Sequence, residues 1–246
     1  MREKPCSAAD QTHADASHTR PVRSFVLRGG RLTGAQKRAL DELWPVFGLP
    51  GADQLLDFET VFGNTGPVIL EIGFGNGEAT WRMAQARPEK NFVGVDVHRP
   101  GVGHLLLKLE EHGIPNVRVA NRDAVEFLQR QVPVASLQGV RIYFPDPWPK
   151  KRHHKRRIVQ DGFVALLASR LIDGGVLHVA TDWAPYAGHV LAVLGHSPEF
   201  RNLSPGAGYC QRPEWRPATR YERRGQRLGH RVFDLLFKRR RRRDSG

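Results

Sequence analysis

Apolar positions along the chain follow two alternating rhythms. Short continuous apolar runs at Pro67–Ile72, Asn91–Val95, Val117–Ala120, Val140–Phe144 and Gly175–Ala180 read as buried strands. Between them, helical spacing predicts helices over Glu78–Arg87, Val102–His112, Ala124–Gln131, Ile158–Leu171 and Pro185–Leu194. Phe200–Leu203 and His230–Phe237 add two late strands. Strands that are apolar on both faces and alternate with helices predict an α/β fold, a mostly parallel sheet covered on both sides. The domain spans 67–238, with a basic arm and a packed helix over 20–66. Residues 1–19 are small and polar without periodicity, and 239–246 is a run of basic charge, so both ends read as disordered. The longest apolar stretch, Phe163–Ile172, is broken by Ser169 and Arg170 and falls short of the roughly 18 residues of a membrane span.

Composition adds little until charge is followed along the chain. With 40% apolar and 26% charged residues, the 246-residue chain is ordinary globular protein. Two cysteines, Cys6 and Cys210, build no disulfide framework, and no apolar targeting segment precedes the domain. These features predict a reduced, cytoplasmic protein with no membrane and no obligate protein partner. The net charge of +13 is concentrated in three places: Lys150–Arg157 carries +6, Arg220–Arg243 carries +9 and Arg20–Arg38 carries +6. The other 195 residues sum to −8. A slightly acidic body wearing three basic patches suits a polyanionic partner, nucleic acid above all.

The first strand ends in Glu71-Ile72-Gly73-Phe74-Gly75-Asn76-Gly77. Ligands of open α/β sheets bind beyond the carboxyl ends of the strands, and glycines there let the backbone approach them. Dinucleotide sites use G-x-G-x-x-G to cradle a pyrophosphate. The tighter spacing here, preceded by an acid, suits a cationic, amino-bearing ligand such as S-adenosylmethionine. Asp96 ends the second strand, where a carboxylate can accept both ribose hydroxyls. Asn121 and Asp123 follow the third, and Asp123 can accept from an adenine amine or cap the next helix.

At the same edge the fourth strand runs into Phe144-Pro145-Asp146-Pro147-Trp148-Pro149-Lys150. Three prolines stiffen this loop and hold Asp146 and Trp148 in place, a carboxylate beside an aromatic plane that could grip and stack on a base. Arg152, His153, His154, Lys155, Arg156 and Arg157 follow directly, bringing phosphate-binding charge to the base pocket. Without a cysteine or a spaced third ligand the two histidines predict no metal site. The fifth strand ends in Thr181-Asp182-Trp183.

Together these motifs resemble the bacterial tRNA (guanine-N7-)-methyltransferase family. The likeness takes in Arg23–Arg28 and Gly30–Thr33 upstream, Gly94–Gly103, and Thr219–Glu222 with Gly229–Asp234 downstream, covering about residues 20–238. It implies a class I, Rossmann-like methyltransferase sheet of seven strands, S-adenosylmethionine as methyl donor, and tRNA as partner, methylated on N7 of the variable-loop guanosine (position 46 in tRNA numbering). It implies that Glu71, Asp96, Asp123 and Asp146 contact the cofactor together with Gly73, Gly75, Gly77 and Asn121. Asp146 would also be catalytic. Lys150, Asp182, Thr219, Arg220, Tyr221 and Glu222 would contact substrate, and Arg152–Arg157 the RNA. The chain departs from the family pattern at Asp96, where many relatives carry Glu, and in Thr219-Arg220-Tyr221-Glu222, where Thr-Lys-Phe-Glu is usual. Two other readings fit part of the pattern, an amino-group nucleic-acid methyltransferase and a non-catalytic RNA-binding protein. A nicotinamide-dependent dehydrogenase leaves the basic patches without a use.

Overall fold

Thr33 opens the first helix with a reciprocal cap: its hydroxyl accepts from the Gln36 amide, and the Gln36 side chain accepts from the Thr33 amide. This starts α1 (Gly34–Glu42), which is followed by α2 (Trp44–Phe47) and α3 (Phe58–Phe62). The computed structural model describes residues 24–25, 30–51 and 54–241. The expectations for residues 1–19, for much of the basic arm (20–23 and 26–29) and for 242–246 lie outside the described residues.

From Val68 the chain alternates as its apolar runs predict. The succession is β1 (Val68–Ile72), α4 (Glu78–Ala86), β2 (Asn91–Val95), α5 (Arg99–Glu111), β3 (Val117–Ala120), α6 (Ala124–Arg130), β4 (Leu137–Tyr143), α7 (Asp161–Arg170), β5 (Leu171–Thr181), α8 (Ala184–His196), β6 (Phe200–Asn202), α9 (Arg220–Arg227) and β7 (Phe233–Arg239). Among the described residues they form one seven-stranded sheet of order β3-β2-β1-β4-β5-β7-β6. The first five strands run parallel, and β7 lies antiparallel between β5 and β6.

Strand alternation divides the core between two faces. Leu70 and Ile72 of β1 join Phe127, Leu167 and Tyr186 under α6, α7 and α8. Ile69 points the other way, into a cluster with Ala39, Met83 and Leu105 from α1, α4 and α5. All of these are 5% exposed or less, so both faces are dry and the strands' carboxyl ends form the open edge.

Several boundaries differ from the sequence reading, and three of the differences have a local cause. Helix α5 starts at Arg99 rather than Val102, because the His98 ring accepts from the Gly101 amide and Pro100 fits the first turn. Strand β5 begins at Leu171, where Leu171 pairs with Leu137 before a register shift, with Gly174 at φ 81°. Strand β4 stops at Tyr143, because Phe144 turns out of it with φ 51°. Helix α9 carries little apolar periodicity and is not predicted by pattern at all.

Candidate active site

The glycine turn after β1 is held as an open cradle. Gly73, Gly75 and Gly77 have φ of 71°, 61° and 78°, a region that side chains disfavour. The Gly73 amide donates to Val95 O (2.8 Å) and the Gly75 amide to Asp96 Oδ2 (2.8 Å), tying the turn to the end of β2. Asp96 Oδ1 accepts from the His98 amide (2.8 Å), and Asn121 Nδ2 donates to Asp96 O (2.8 Å). Burial raises the Asp96 carboxyl above its usual range, against the amide hydrogen bonds that stabilise its charge. Asp123 caps α6 by accepting from the amides of Val125 (2.8 Å) and Glu126 (3.0 Å). A cavity of about 390 Å³ opens here, lined by Gly73, Gly75, Asp96, Ala124, Ile142 and Asp146 among others.

Helix α5 crosses this turn so closely that a Cβ on Gly101 would stand 1.9 Å from the Gly75 carbonyl oxygen. Gly101→Ala is expected to cost about 1–3 kcal/mol by overpacking. For a domain of this size the melting temperature should fall by roughly 2–10 °C. An unshifted melt would show that the contact is slack.

The proline loop is braced from below. Phe144 and Trp148, at φ 51° and 45°, flank it, and such positive φ in non-glycine residues persists only where surrounding contacts impose it. The Trp148 indole donates to Ser24 O (3.1 Å), and the Arg156 guanidinium lies 3.8 Å from the centre of its ring. Arg156 also donates to Phe25 O (3.0 Å). Trp148 is therefore a strut between the loop and the N-terminal arm, with Arg156 on its ring where the sequence reading expected a base. Arg157 turns inward, 4% exposed, donating to Pro147 O (3.0 Å) with His154 Nε2 3.0 Å from its other end. Residues Lys151–Arg156 form a 3-10 helix on which Lys151, Arg152 and Lys155 are exposed, as is Lys150 before it. Asp146 itself is exposed at the tip of the braced loop.

Beyond Asp146 lies a second cavity, about 800 Å³, which shares Gly73, Gly75, Phe144, Pro145 and Asp146 with the first. Its far wall carries Asp182, Trp183, Thr219, Tyr221 and His230. Tyr221 is exposed; its hydroxyl donates to Asp182 Oδ2 (3.3 Å), and its ring tilts against Phe144 at 5.2 Å. His230 Nδ1 is 3.5 Å from the same carboxylate. Thr219 caps α9 by accepting from the Glu222 amide (3.2 Å). Glu222 points away from the cavity, 2% exposed, onto Arg216. At the floor, Glu71 is buried and accepts from the Thr80 hydroxyl (2.6 Å). Burial pushes its carboxyl up to about 7; Asp96 adds to the rise, while the Thr80 bond and Arg141 oppose it.

Of the residues expected at the site, Glu71, Gly73, Gly75, Asp96, Asp146, Asp182, Thr219 and Tyr221 line the paired cavities. Asn121 and Asp123 line a neighbouring recess with Lys155, Arg156 and Arg157. The sequence reading gives no site role to Phe144, His230 or Glu78; the Glu78 carboxylate accepts from the Arg220 amide (2.6 Å) and Arg223 (3.2 Å) and so docks α9 onto α4. No spacing signal marks Glu78, because its partners lie more than 140 residues away.

Residues 65–235 match a family model described as "Putative methyltransferase". A protein of Alcanivorax borkumensis, named tRNA (guanine-N(7)-)-methyltransferase, is 53% identical over 221 residues, spanning 90% of this chain and 92% of its own. One of the same name from Methylobacillus flagellatus is 54% identical over 221 residues, spanning 89% and 92%. Among solved structures, the 16S rRNA methyltransferase KamB superposes with a TM-score of 0.56 at 16% identity, covering 76% of this chain and 95% of its own. The shared fold is the class I, Rossmann-like one.

Proposed function

The chain belongs to the tRNA (guanine-N7-)-methyltransferase family, an enzyme family that methylates a tRNA guanine from S-adenosylmethionine, and from that premise we propose how its residues divide the work. The observation that carries the reading is the common wall of the two cavities. Gly73, Gly75, Phe144, Pro145 and Asp146 border both, so two ligands would meet across Asp146. When bound, S-adenosylmethionine supplies an electrophilic methyl carbon, which guanine N7 takes as sulfur leaves with the electrons of the broken bond.

The smaller cavity suits the donor. Asp96 keeps accepting lone pairs beyond its two amide bonds, enough for ribose hydroxyls, and Ala124 and Ile142 give apolar walls. In the recess beside it, Asp123 spends one oxygen on the cap of α6 and retains the other for an adenine amine. Buried Glu71, on the floor of the adjoining cavity, would be the counter-charge for the donor's ammonium where the two cavities meet at Gly73 and Gly75. The larger cavity would take guanine, with Asp146, Asp182 and Tyr221 offering hydrogen bonds and Trp183 an exposed ring. Guanine N7 presents a free lone pair, so no proton leaves before attack and the work is alignment plus electrostatics. Asp146, accepting from guanine N1–H or its amino group, would be favoured further as positive charge passes to the purine. Adenine offers an acceptor at N1 and is rejected there.

Exposed Lys150, Lys151, Arg152 and Lys155 would hold tRNA phosphates beside this pocket, in the cytoplasm where tRNA resides. If four such contacts form, affinity should fall on the order of a hundredfold between about 50 and 200 mM salt. Filter binding across that range checks it, and a flat response would remove these contacts. Donor binding should weaken below about pH 7, approaching tenfold per pH unit, because protonation erases the Glu71 charge. Glu71→Gln should abolish that dependence in a calorimetric titration; an unchanged pH profile would free Glu71 of this role. No helix of the described residues is long and apolar enough to cross a membrane.

Within tRNA the target we propose is the variable-loop guanosine. The test is transfer of labelled methyl to unmodified transcripts, one carrying adenosine at that place, followed by nucleoside analysis. Label recovered as 7-methylguanosine and lost with the substitution supports the assignment. Label persisting in the substituted transcript overturns the position, and label on an amino group overturns the chemistry.

A further inference from the structure

A third cavity, about 560 Å³, lies away from the reaction edge, over the amino-terminal half of the strands and beneath α4. It shares no lining residue with the two cavities that meet at Asp146. Two of its lining residues carry buried polar atoms without a partner among the described residues. Arg141 is 8% exposed; its Nη1 donates to Val140 O (3.1 Å) and Val176 O (2.9 Å), but its buried Nε has no hydrogen-bond partner among the described residues. Buried Gln138 Oε1 likewise has none. An unmet donor and an unmet acceptor just beneath the lining of one cavity are an uncommon combination, because buried polar atoms are nearly always paired.

The rest of the lining defines what would pair with them. Arg87 and Lys90 stand at the rim, and Arg82, which also leans on Glu78, joins them against the single acid Glu214. The floor is apolar, with Met83 and Phe92 buried. Trp215, 39% exposed, forms one wall, with the Arg141 guanidinium 5.8 Å from the centre of its ring. The volume falls within the range of small-molecule sites. We propose that this cavity binds a small heteroaromatic anion, a flat ring bearing an N–H donor and joined to a phosphate or carboxylate. The ring lies between Trp215 and the apolar floor, its N–H donates to Gln138 as that amide turns into the cavity, and the anionic group takes the Arg141 side and the cationic rim.

The test is calorimetric titration of the full chain, saturated with S-adenosylhomocysteine, using uridine 5′-monophosphate as probe, with uridine and inorganic phosphate as separate arms. The expected result is a dissociation constant below about 1 mM for the nucleotide and at least about tenfold weaker binding of either half. Trp215→Ala and Lys90→Glu, both changes at the accessible rim, should each weaken the nucleotide about tenfold and leave S-adenosylhomocysteine affinity unchanged. Absence of heat would mean a water-filled cavity and overturn the proposal. So would phosphate alone binding as well as the nucleotide, which marks an exposed cationic rim only, or titrations identical in both variants.

Discussion

Asp146→Ala should lower the rate of methyl transfer to tRNA on the order of 10²–10³-fold under single-turnover conditions, while changing tRNA affinity only modestly. The expectation rests on where the carboxylate stands and what holds it there. Asp146 is exposed, yet its loop is stiffened by three prolines, pinned at Pro147 O by buried Arg157 and supported through Trp148 by Arg156 and Ser24. A carboxylate held this way is oriented before substrate arrives, so little reorganisation is needed when charge develops on the purine. Asp146→Asn separates charge from shape, and a loss close to that of alanine assigns the effect to the negative charge. Wild-type turnover by Asp146→Ala would remove Asp146 from the chemistry and leave Asp182, on the opposite wall of the same cavity, as the carboxylate to examine.

Legibility in the sequence followed the physical origin of each feature. Asn91–Val95 is a strand because residues buried on two faces are mostly apolar on both; Val117–Ala120 is an edge strand interrupted by Arg118, and both agree with the structure to the residue. The glycine turn and its acids were equally visible, since a backbone with positive φ demands glycine and strand order dictates where the acids land. Charge was the misleading signal. Arg157 and Glu222 sit in segments that read as solvated or RNA-facing, yet each is under 5% exposed, satisfied by groups distant in the fold or by partners that composition cannot reveal. Helix α9 escaped notice for the same reason. It is polar nearly throughout, and it is fixed by Thr219 at its start, Glu78 from another helix and Arg216 beneath, rather than by an apolar stripe.

Arg216 should prove the residue whose loss costs most stability. It is 2% exposed and forks twice: Nε and Nη2 donate to Asp234 (2.7 and 3.0 Å), Nη1 and Nη2 to Glu222 (2.5 and 3.0 Å). Asp234 also accepts from His178 Nε2 (2.7 Å), and the Tyr143 hydroxyl lies 3.1 Å from His178 Nδ1. Burial drives the His178 pKa down to about 4 despite the pull of Asp234, so the imidazole is neutral, donating through Nε2 and accepting at Nδ1. Burial also works to raise the Asp234 carboxyl, but the hydrogen bonds from His178 and Arg216 outweigh it and hold it below its usual range. Arg216→Met would leave buried Asp234 without its cation and Glu222 with only half-exposed Arg212, 3.7 Å away, at a cost of about 3–5 kcal/mol. With the cation gone, desolvation dominates at Asp234 and its carboxyl should rise, so the folded variant takes up a proton that the wild type does not. The stability gap between the two, measured by urea unfolding, should therefore narrow as pH falls from neutral towards the acid range. Because Glu222 anchors α9, the variant should also lose grip on tRNA through Tyr221 even where it remains folded, seen as a raised KM for tRNA with donor affinity kept. A gap of constant size across pH would mean that the lost packing, rather than the unpaired charges, sets the cost.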